Sequence, residues 1–313
     1  MEHKISFVAV AGAGVMGAAI AQYFAEHGLR VLVYDISPAS LALVDSTVAA
    51  NQQLMLERGQ LTQEEADAAR ARIQTTGNLA DFAVADLVIE AIIEKMDIKQ
   101  KFFVQLEQIC RPDTIFATNT SGLSVNEICS QMTTKARFVG ANWWTPAQII
   151  PLIEMVRADA TSDETVKRLY DFFESVGKKP VVINREVKGF VGNRIQFAVM
   201  REAMNIVESG YATPEDVDRV LHYGLGLRYA VLGPFRTADF GGVDTFFHIS
   251  DTLFGDLSNR TDAPDLIRNL YNDKKYGIKT GEGFYSYTPE EIAQGIRSRD
   301  EQLLEILKIT DKN

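Results

Sequence analysis

A glycine-rich segment close to the N-terminus has the residue types and spacing of a phosphate-binding turn. The residues Gly12-Ala13-Gly14-Val15-Met16-Gly17 follow the apolar segment 7–11 and open a helical pattern. In such a turn the first glycine permits a tight bend, the second lets the backbone approach a pyrophosphate, and the third allows a helix to pack closely on a strand. Free N–H groups at the helix N-terminus attract the phosphate charge. The segment therefore predicts a dinucleotide site.

An acidic residue follows at the distance that a ribose-binding carboxylate requires. The second apolar segment, residues 30–35, ends in Asp35, about twenty residues after the glycines. An ionised Asp35 accepts hydrogen bonds from ribose hydroxyls and repels a 2′-phosphate, and Ile36 stands where an NADP site places an arginine. We therefore expect NAD, rather than NADP or FAD, as the cofactor. The expected binding residues in this part of the chain are Gly12, Gly14, Val15, Met16, Gly17 and Asp35.

The composition argues against several classes of protein. The chain has 313 residues, of which 46% are hydrophobic and 24% charged, and its formal net charge is -10. The acidic balance argues against a nucleic-acid-binding surface, and no apolar run approaches the roughly 20 residues of a membrane helix. We expect no nucleic-acid or membrane partner and no metal site. The two cysteines, Cys110 and Cys129, and an N-terminus without the layout of a secretion signal favour a cytoplasmic protein.

Strand and helix patterns alternate from residue 5 to about residue 184. Apolar segments typical of strands cover residues 5–11, 30–35, 87–91, 114–118, 138–144, 152–156 and 180–183. This alternation predicts an α/β fold, with a Rossmann-type doubly wound sheet and helices on both faces. Residues 38–73 interrupt the alternation with a predicted helical hairpin that breaks at Gly59. The second helix of the hairpin restarts at Thr62, which has capping-box spacing with Glu65.

Helical patterns dominate the rest of the chain. Residues 189–210 predict one long helix, and Thr213 followed by Pro214 predicts the start of another. Glycines at 224–226 and 241–242 predict turns, and strand character returns only at residues 283–287. We therefore predict two domains: a Rossmann NAD-binding domain over residues 1–184 and an all-α domain over residues 185–313. That length is sufficient for two hydrophobic cores.

Several further motifs occur in order along nearly the whole chain. They are EAIIEK at 90–95, TNTSGL at 118–123, GANWWTP at 140–146 followed by Glu154, GFVGNR at 189–194, GPF at 233–235 and KTGEGF at 279–284. Together with the glycine-rich turn they resemble the 3-hydroxyacyl-CoA dehydrogenase family. The resemblance implies NAD-linked interconversion of an alcohol and a ketone. It also implies a homodimer that assembles through the helical domain.

The resemblance assigns roles to individual residues. Ser121 and Asn193 are expected to hold substrate oxygens near C4 of the nicotinamide ring, and Glu154 to orient the residue at position 142. With Asn142 these form the expected catalytic set: Ser121, Asn142, Glu154 and Asn193. The further cofactor contacts that the resemblance implies are Glu90, Lys95, Ser121, Thr145 and Lys279.

Position 142 departs from the family, which has a histidine there. A histidine takes and returns a proton near neutral pH, whereas an amide does not. Asn142 is able to donate an N–H to a carbonyl or alkoxide, so it would polarise the substrate without storing its proton. Thr145 also stands where the family has asparagine. Three interpretations are open: a deliberate replacement made to slow turnover; a native asparagine, slightly favoured, with water or Glu154 moving the proton; or a protein that binds the cofactor without turnover.

The predicted hairpin and a later motif bear on the substrate. The hairpin has three arginines against five acidic residues, which suits the phosphates of coenzyme A (CoA) poorly. The segment GLGLRYA at 224–230 is similar to the L-gulonate 3-dehydrogenase and lambda-crystallin branch, which acts on small free acids. Arg228 is expected either to clamp a substrate carboxylate or to cap a helix end or join a subunit contact. The leading hypothesis is an NAD-dependent dehydrogenase for a small hydroxy or keto acid not bound to CoA. The alternatives are a 3-hydroxyacyl-CoA dehydrogenase and a non-catalytic dinucleotide-binding protein.

Overall fold

The computed structural model describes residues 4–310, and the chain divides between Arg194 and Ile195 into two compact units. The first unit contains an eight-stranded sheet with helices on both faces, and the second unit is helical. The predicted fold class is therefore confirmed. The domain division predicted between residues 184 and 185 stays a prediction.

The sheet of the first unit is built from short apolar strands. Its strands are β1 Phe7–Ala11, β2 Arg30–Tyr34, β3 Ile73–Thr76, β4 Leu87–Glu90, β5 Ile115–Thr118, β6 Phe138–Trp143, β7 Leu152–Arg157 and β8 Lys179–Ile183. They lie in the order β3-β2-β1-β4-β5-β6-β7-β8, and every pair is parallel except the antiparallel pair β6 and β7. Because strands β1, β2, β4, β5 and β6 run in one direction, the residues that follow them meet at one edge of the sheet.

Helices cover both faces of this sheet. They are α1 Val15–Glu26, α2 Pro38–Ala42, α3 Val44–Glu57, α4 Gln63–Ala71, α5 Met96–Ile109, α6 Val125–Ile128 and α7 Asp163–Ser175. Alternate residues of β1 enter different cores: Val8 and Val10 pack in the cluster that contains Phe24 of α1, whereas Ala9 packs in the cluster that contains Phe103 of α5. Two-sided burial explains why these strands are continuous apolar runs rather than alternating patterns.

The helical hairpin is confirmed, but its predicted end is wrong. Gly59 has φ +63 at the break, and Thr62 and Glu65 form the predicted capping box at the start of α4. The predicted hairpin extends to Ile73, whereas in the structure that residue begins strand β3, which pairs in parallel with β2. This strand lies at the sheet edge and is partly exposed, so its sequence lacks the apolar run of a central strand.

The second unit is helical, and few of its residues are buried, among them Met204 and Thr237. The helix α8 Gly192–Glu208 begins in the first unit and continues into the second, followed by α9 Pro214–Val220, a π-helical segment Leu221–Gly226, α10 Leu227–Tyr229, α11 Gly233–Gly241, α12 Val243–Leu253, α13 Asp265–Asn272 and α14 Pro289–Thr310. Thr213 caps α9 as predicted, because its side chain accepts a hydrogen bond from Asp216 N. Gly242, with φ +90, forms the predicted turn between α11 and α12.

Two predictions for the second unit are wrong. Residues 224–226 were expected in a turn but lie in the π-helical segment, where a Cβ at Gly226 would come within 2.8 Å of the Leu221 carbonyl oxygen. Here the absence of a side chain permits a close backbone approach rather than a reversal. Residues 283–287 do not form a strand; Ser286 forms one isolated β-bridge, with Glu282. Within residues 4–310 no helix has the length and apolar character needed to span a bilayer.

Candidate active site

The glycine-rich turn has the geometry of a dinucleotide site. Gly12 has φ +106, and a Cβ there would overlap the Ala91 carbonyl oxygen at the end of β4. A Cβ at Gly17 would overlap the Gly12 carbonyl, so the third glycine lets α1 begin directly against the turn. Gly14 is exposed, precedes the first residue of α1 and has nothing within 4 Å of its Cβ position. The turn therefore leaves open space at the N-terminus of α1, where a pyrophosphate fits.

Asp35 is held beside this turn by the backbone. Its Oδ2 accepts a hydrogen bond from Ala13 N at 2.8 Å, and its Oδ1 accepts one from Ser37 N at 2.8 Å. The carboxylate is half-buried, and each of its oxygens retains acceptor capacity for a ribose hydroxyl. Ile36 beside it is exposed and apolar, so it offers no charge to a 2′-phosphate. These residues fit NAD.

Asn142 and Glu154 lie directly opposite each other on the antiparallel strands β6 and β7. Asn142 Nδ2 donates a hydrogen bond to Glu154 Oε2 at 2.9 Å, and the two residues are 4% and 2% exposed. The predicted orientation of residue 142 by Glu154 therefore has a physical basis in the cross-strand pairing. Asn119, which follows β5, also joins β6, because its Oδ1 accepts a hydrogen bond from Trp143 N at 2.7 Å.

The Glu154 carboxylate is surrounded by hydrogen-bond donors. Besides Asn142, its Oε2 accepts from Trp144 Nε1 at 3.2 Å, and its Oε1 accepts from Val191 N at 3.0 Å and Gly192 N at 2.8 Å. Four donors around one carboxylate hold it in a fixed orientation. In this arrangement Glu154 serves as an acceptor that positions its neighbours.

The two tryptophans have different environments, as expected for strand neighbours. Trp143 is buried in the core on the α1 face, whereas the partly exposed Trp144 lies against Gly192 at the start of α8. A Cβ at Gly192 would overlap the Trp144 ring, so only glycine fits there. Sequence reasoning missed the hydrogen bond between Trp144 and Glu154. A tryptophan followed by a distant glycine gives no signal of such a contact.

Of the remaining predicted residues of the first unit, Lys95, Ser121 and Thr145 lie on loops that follow strands, and Asn193 lies in the first turn of α8. Asn193 Nδ2 donates to the Ser121 carbonyl oxygen at 3.3 Å, so the structure brings these two predicted residues together. Thr145 Oγ1 donates to Met16 Sδ at 3.2 Å, which connects the segment after β6 to the dinucleotide helix. Lys95 is exposed at the residue before α5. The roles of these residues toward cofactor and substrate stay predictions.

Glu90 is enclosed in a buried network that sequence reasoning did not find. Its Oε1 accepts from Lys99 Nζ at 2.5 Å and Ile92 N at 2.8 Å, and its Oε2 accepts from Thr118 Oγ1 at 2.7 Å. Burial raises the pKa of the Glu90 carboxyl, and the Lys99 ammonium opposes that effect. Lys99 also pairs with Glu94 at 3.1 Å. The carboxylate of Glu90 thus holds the loops after β4 and β5 in place, with no part of it facing solvent.

Arg228 and Lys279 belong to the second unit, and both are exposed there. Their predicted contacts with substrate and cofactor stay predictions. Among residues 4–310 no group of His, Cys, Asp or Glu side chains has the arrangement of a metal site.

Comparison with known proteins identifies the family. The model of the 3-hydroxyacyl-CoA dehydrogenase NAD-binding domain matches residues 7–187, and the model of the C-terminal domain of the same family matches residues 189–287. The chain is 33% identical over 305 residues to 5-formyl-3-hydroxy-2-methylpyridine 4-carboxylate 5-dehydrogenase of Mesorhizobium japonicum, covering 97% of this chain and 98% of the relative. It is 35% identical over 285 residues to a probable 3-hydroxybutyryl-CoA dehydrogenase of Bacillus subtilis, covering 91% and 98%.

Solved structures agree with these sequence matches. A crystal structure of the pyridine-carboxylate 5-dehydrogenase, described as an NAD+-dependent dismutase, has a TM-score of 0.90 with 33% identity and covers 98% of this chain and 99% of that chain. The (S)-3-hydroxybutyryl-CoA dehydrogenase of Ralstonia eutropha has a TM-score of 0.75 with 32% identity and covers 91% and 100%. The cofactor of this fold is NAD, as predicted. The chain is a member of the 3-hydroxyacyl-CoA dehydrogenase family.

Proposed function

We propose that this chain is an NAD-dependent dehydrogenase that interconverts a secondary alcohol and a ketone on a small hydroxy or keto acid not bound to CoA. The observation that carries the proposal is the buried Asn142–Glu154 pair on β6 and β7. Three residues beyond Asn142, Thr145 contacts Met16 in the first turn of the dinucleotide helix. The loop that follows Asn142 thus contacts the dinucleotide helix, and the buried pair supplies a substrate-polarising group of the kind that hydride transfer uses.

When bound, NAD accepts or returns a hydride at C4 of its nicotinamide ring. Asn142 gives one amide hydrogen to Glu154 and retains a second hydrogen and its carbonyl oxygen for the substrate. That N–H stabilises a carbonyl or alkoxide oxygen but does not take up a proton. Glu154, with four donors around it, holds Asn142 and Trp144 in place. We therefore assign the proton to solvent water, and expect turnover about 10²–10⁴-fold below that of a histidine variant.

The hairpin supports a substrate without CoA. Arg70 pairs with Asp67 at 2.5 Å and lies 3.9 Å from Asp45, both within the hairpin. Arg72 donates to the Ala25 carbonyl oxygen at 3.4 Å. Because these two of the hairpin's three arginines already have partners, the hairpin offers less free positive charge to CoA phosphates. The Mesorhizobium relative, whose name describes a pyridine carboxylate and contains no CoA, is consistent with this. Arg228 remains our candidate for a substrate carboxylate in the second unit.

A 3-hydroxyacyl-CoA substrate is the second candidate. It is favoured by the relatives from Bacillus subtilis and Ralstonia eutropha, whose names describe 3-hydroxybutyryl-CoA dehydrogenases at similar identity. A non-catalytic dinucleotide-binding role is the third, and Asn142 is the observation in its favour. Its amide is not basic enough to take up a proton from an alcohol at neutral pH.

An NADH-coupled panel of free hydroxy acids and acyl-CoA thioesters separates the three. The wild type and Asn142→His are compared, with Asn269→His as a matched control at an exposed position of α13. We expect Asn142→His to raise the rate on free acids and the control to leave it unchanged. Turnover restricted to CoA thioesters would select the second candidate. Absence of turnover in both wild type and Asn142→His, with NADH still bound, would select the third.

We propose that the chain forms a homodimer through its second unit, over the predicted domain 185–313. Large apolar side chains are exposed on α8, α11 and α12: Ile195, Phe197, Phe235, Phe240, Phe247 and Ile249. An exposed apolar surface of this kind marks a protein interface. Light scattering after size exclusion should give a dimer mass. Phe240→Glu should shift it to a monomer, whereas Leu43→Glu, an exposed apolar position of the first unit, should not.

We also propose a reducing, cytoplasmic location. Cys110 and Cys129 are free, buried thiols. Burial raises the pKa of Cys110 to about 12, so it stays a neutral thiol. Thiols of this kind fit a compartment where disulfides are rare.

A further inference from the structure

Lys178 is a buried cation with no carboxylate partner among the described residues. It is 1% exposed and precedes β8. Its Nζ donates to the carbonyl oxygens of Ala147 and Ile150, both at 2.8 Å. The same Nζ lies 3.7 Å from the centroid of the Tyr23 ring and 4.5 Å from that of Trp143. Charged lysines are rarely buried unless they are paired, so this site has a reason other than ordinary packing.

The two carbonyl partners belong to the turn that connects the strands of the candidate active site. This turn, residues 145–150, runs from β6, which carries Asn142, toward β7, which carries Glu154. Inside it the backbone N–H groups of Ile149 and Ile150 both donate to the Pro146 carbonyl oxygen. Two of the turn's other carbonyl oxygens meet at the one ammonium group. A single cation therefore holds the conformation of the 145–150 turn.

The two aromatic partners connect this turn to the cofactor helix. Tyr23 lies in α1, and Trp143 is the last residue of β6. Tyr23 is itself fixed, because its hydroxyl donates to the Val176 carbonyl oxygen at 2.6 Å. At the other end of α1, Met16 accepts the hydrogen bond from Thr145, the first residue of the turn. The helix is thus attached to the 145–150 turn and to β6 at two points.

We propose that Lys178 is a positioning residue: its ammonium group fixes the 145–150 turn relative to α1 and so places Trp144 and Asn142 against Glu154. The importance of that placement for turnover rests on the proposed function, whereas the placement itself does not. Lys178 touches neither Asn142 nor Glu154 in the structure, so it acts through the turn and through Trp143. A cation between two ring faces in a desolvated site is an attraction that a neutral side chain of the same length does not reproduce.

Burial places the protonation equilibrium of the Lys178 amine near neutral pH. Burial lowers the pKa of Lys178 to about 7, from the ordinary 10.5. On α1 the titratable Tyr23 contacts it, and the His27 ring stacks on Tyr23 at 4.3 Å between centroids. Strand β6 contributes the uncharged Trp143, and α7 contributes Phe173, which meets Trp143 edge-on. The neutral amine keeps two N–H donors but loses its attraction to the rings.

The lowered pKa of Lys178 determines how the stability of the folded chain changes with pH. The folded chain binds fewer protons at Lys178 than the unfolded chain between pH 7 and 10.5. Relative to Lys178→Met, the wild type therefore gains stability as the pH rises through that window and is least favoured below it. Below neutral pH the Lys178 ammonium lowers the stability of the folded chain. A positioning role gives a reason for keeping this charge.

The indole N–H groups of the two tryptophans report on whether Lys178 holds the 145–150 turn in place, and measuring them requires no turnover. Trp144 Nε1 donates to Glu154, whereas Trp143 Nε1 is buried without a partner among residues 4–310. In Lys178→Met, hydrogen exchange of the Trp144 indole should accelerate, and the NADH affinity should fall, each by roughly ten- to hundredfold, the loss expected for charge-assisted hydrogen bonds. The matched control is Lys179→Met, at the exposed neighbouring lysine of β8. It should change neither quantity.

A pH titration of the wild type supplies the second test, which applies even if Lys178→Met does not fold. The Trp143 indole resonance should shift with a midpoint near 7, with the same midpoint in His27→Gln. Exchange of the Trp144 indole, compared with a free indole at each pH, should accelerate above that midpoint. A folded Lys178→Met with wild-type exchange and NADH affinity would overturn the proposal. So would a Trp144 exchange ratio that is flat from pH 5 to 9. Neither measurement involves substrate. Both therefore test the placement of the turn by Lys178 even if the chain does not have the proposed dehydrogenase activity.

Discussion

Replacing Lys99 with methionine tests the buried network below the cofactor loops. Lys99 is 1% exposed and Glu90 0%, and their charged groups are 2.5 Å apart. The substitution keeps the apolar volume but leaves the Glu90 carboxylate buried with only Ile92 N and Thr118 Oγ1 as donors. Removing one partner of a buried ion pair costs about 3–5 kcal/mol, because the remaining charge is uncompensated.

This free energy corresponds to a large change in melting temperature. A unit of this size loses about 2–4 °C per kcal/mol, so we expect Lys99→Met to lower the melting temperature of the first unit by roughly 6–20 °C. NADH affinity should fall as well, because Glu90 and Glu94 together hold the loops after β4 and β5. Glu94 does so through Lys99 and through a hydrogen bond from Thr120.

The control is the double variant Glu90→Gln with Lys99→Met. Because it removes both charges, it should recover most of the stability that Lys99→Met loses. Differential scanning calorimetry and NADH fluorescence titration measure the two effects. If Lys99→Met lies within about 1 kcal/mol of the wild type, or the double variant is no better than the single one, the network does not depend on charge pairing.

The pH dependence adds an independent check on the same variant. The pKa of the Glu90 carboxyl is already raised by burial above its ordinary 4.5, and loss of the Lys99 ammonium raises it further. Stability from a group with a raised folded-state pKa is present below the unfolded value and is lost as the pH rises through the folded value. The deficit of Lys99→Met relative to the wild type should therefore shrink as the pH is lowered, since protonation neutralises Glu90. A deficit that is constant from pH 8 to 5 would contradict this account.

Three further predictions concern other parts of the first unit. Gly192→Ala places a Cβ into the Trp144 ring, so we expect a loss of about 1–3 kcal/mol by thermal unfolding and faster exchange of the Trp144 indole. Asp35→Asn removes the charge that selects against a 2′-phosphate, and the ratio of NADH to NADPH affinity should fall roughly ten- to hundredfold in fluorescence titrations. Asp86→Asn should lose about 1–3 kcal/mol at neutral pH. Although burial opposes ionisation, two backbone N–H groups and Arg111 lower the pKa of Asp86, so the gap to the wild type should close as the pH falls below 3.8 in urea titrations.

The parts of the fold that could be predicted are those in which one local pattern has one structural solution. The strand β1 is an uninterrupted apolar run, β2 is apolar after Arg30, and the glycines that follow β1 permit only a tight turn before α1. Strand β3 was missed because an edge strand is paired on one side and half-exposed, so its polar residues give no periodic signal. The π-helical segment was missed because Gly226 has the composition of a turn. Its helical conformation depends on backbone contacts with Leu221 that composition does not encode.

The residues of the candidate site also divide into those that could be predicted from the sequence and those that could not. Asn142 and Glu154 could be paired from the sequence by resemblance, and the antiparallel register places them opposite each other. Lys99 and Lys178 could not be found in this way, since most lysines are solvated. Their burial results from partners far away along the chain, such as Glu90 for the first and the Ala147 carbonyl for the second.

The hydrogen bonds of Glu154 bear directly on the meaning of Asn142. Three of its donors, Trp144 Nε1, Val191 N and Gly192 N, do not involve residue 142 at all. The carboxylate is therefore held in place whichever side chain stands opposite, and only the donor at 2.9 Å belongs to Asn142. An imidazole N–H at that position would meet the same Oε2 and would leave its second nitrogen to exchange a proton with substrate. It follows that Asn142→His changes the proton chemistry without requiring the surroundings of Glu154 to rearrange. A crystal structure of that variant in which Glu154 turns away from residue 142 would show this reasoning to be wrong.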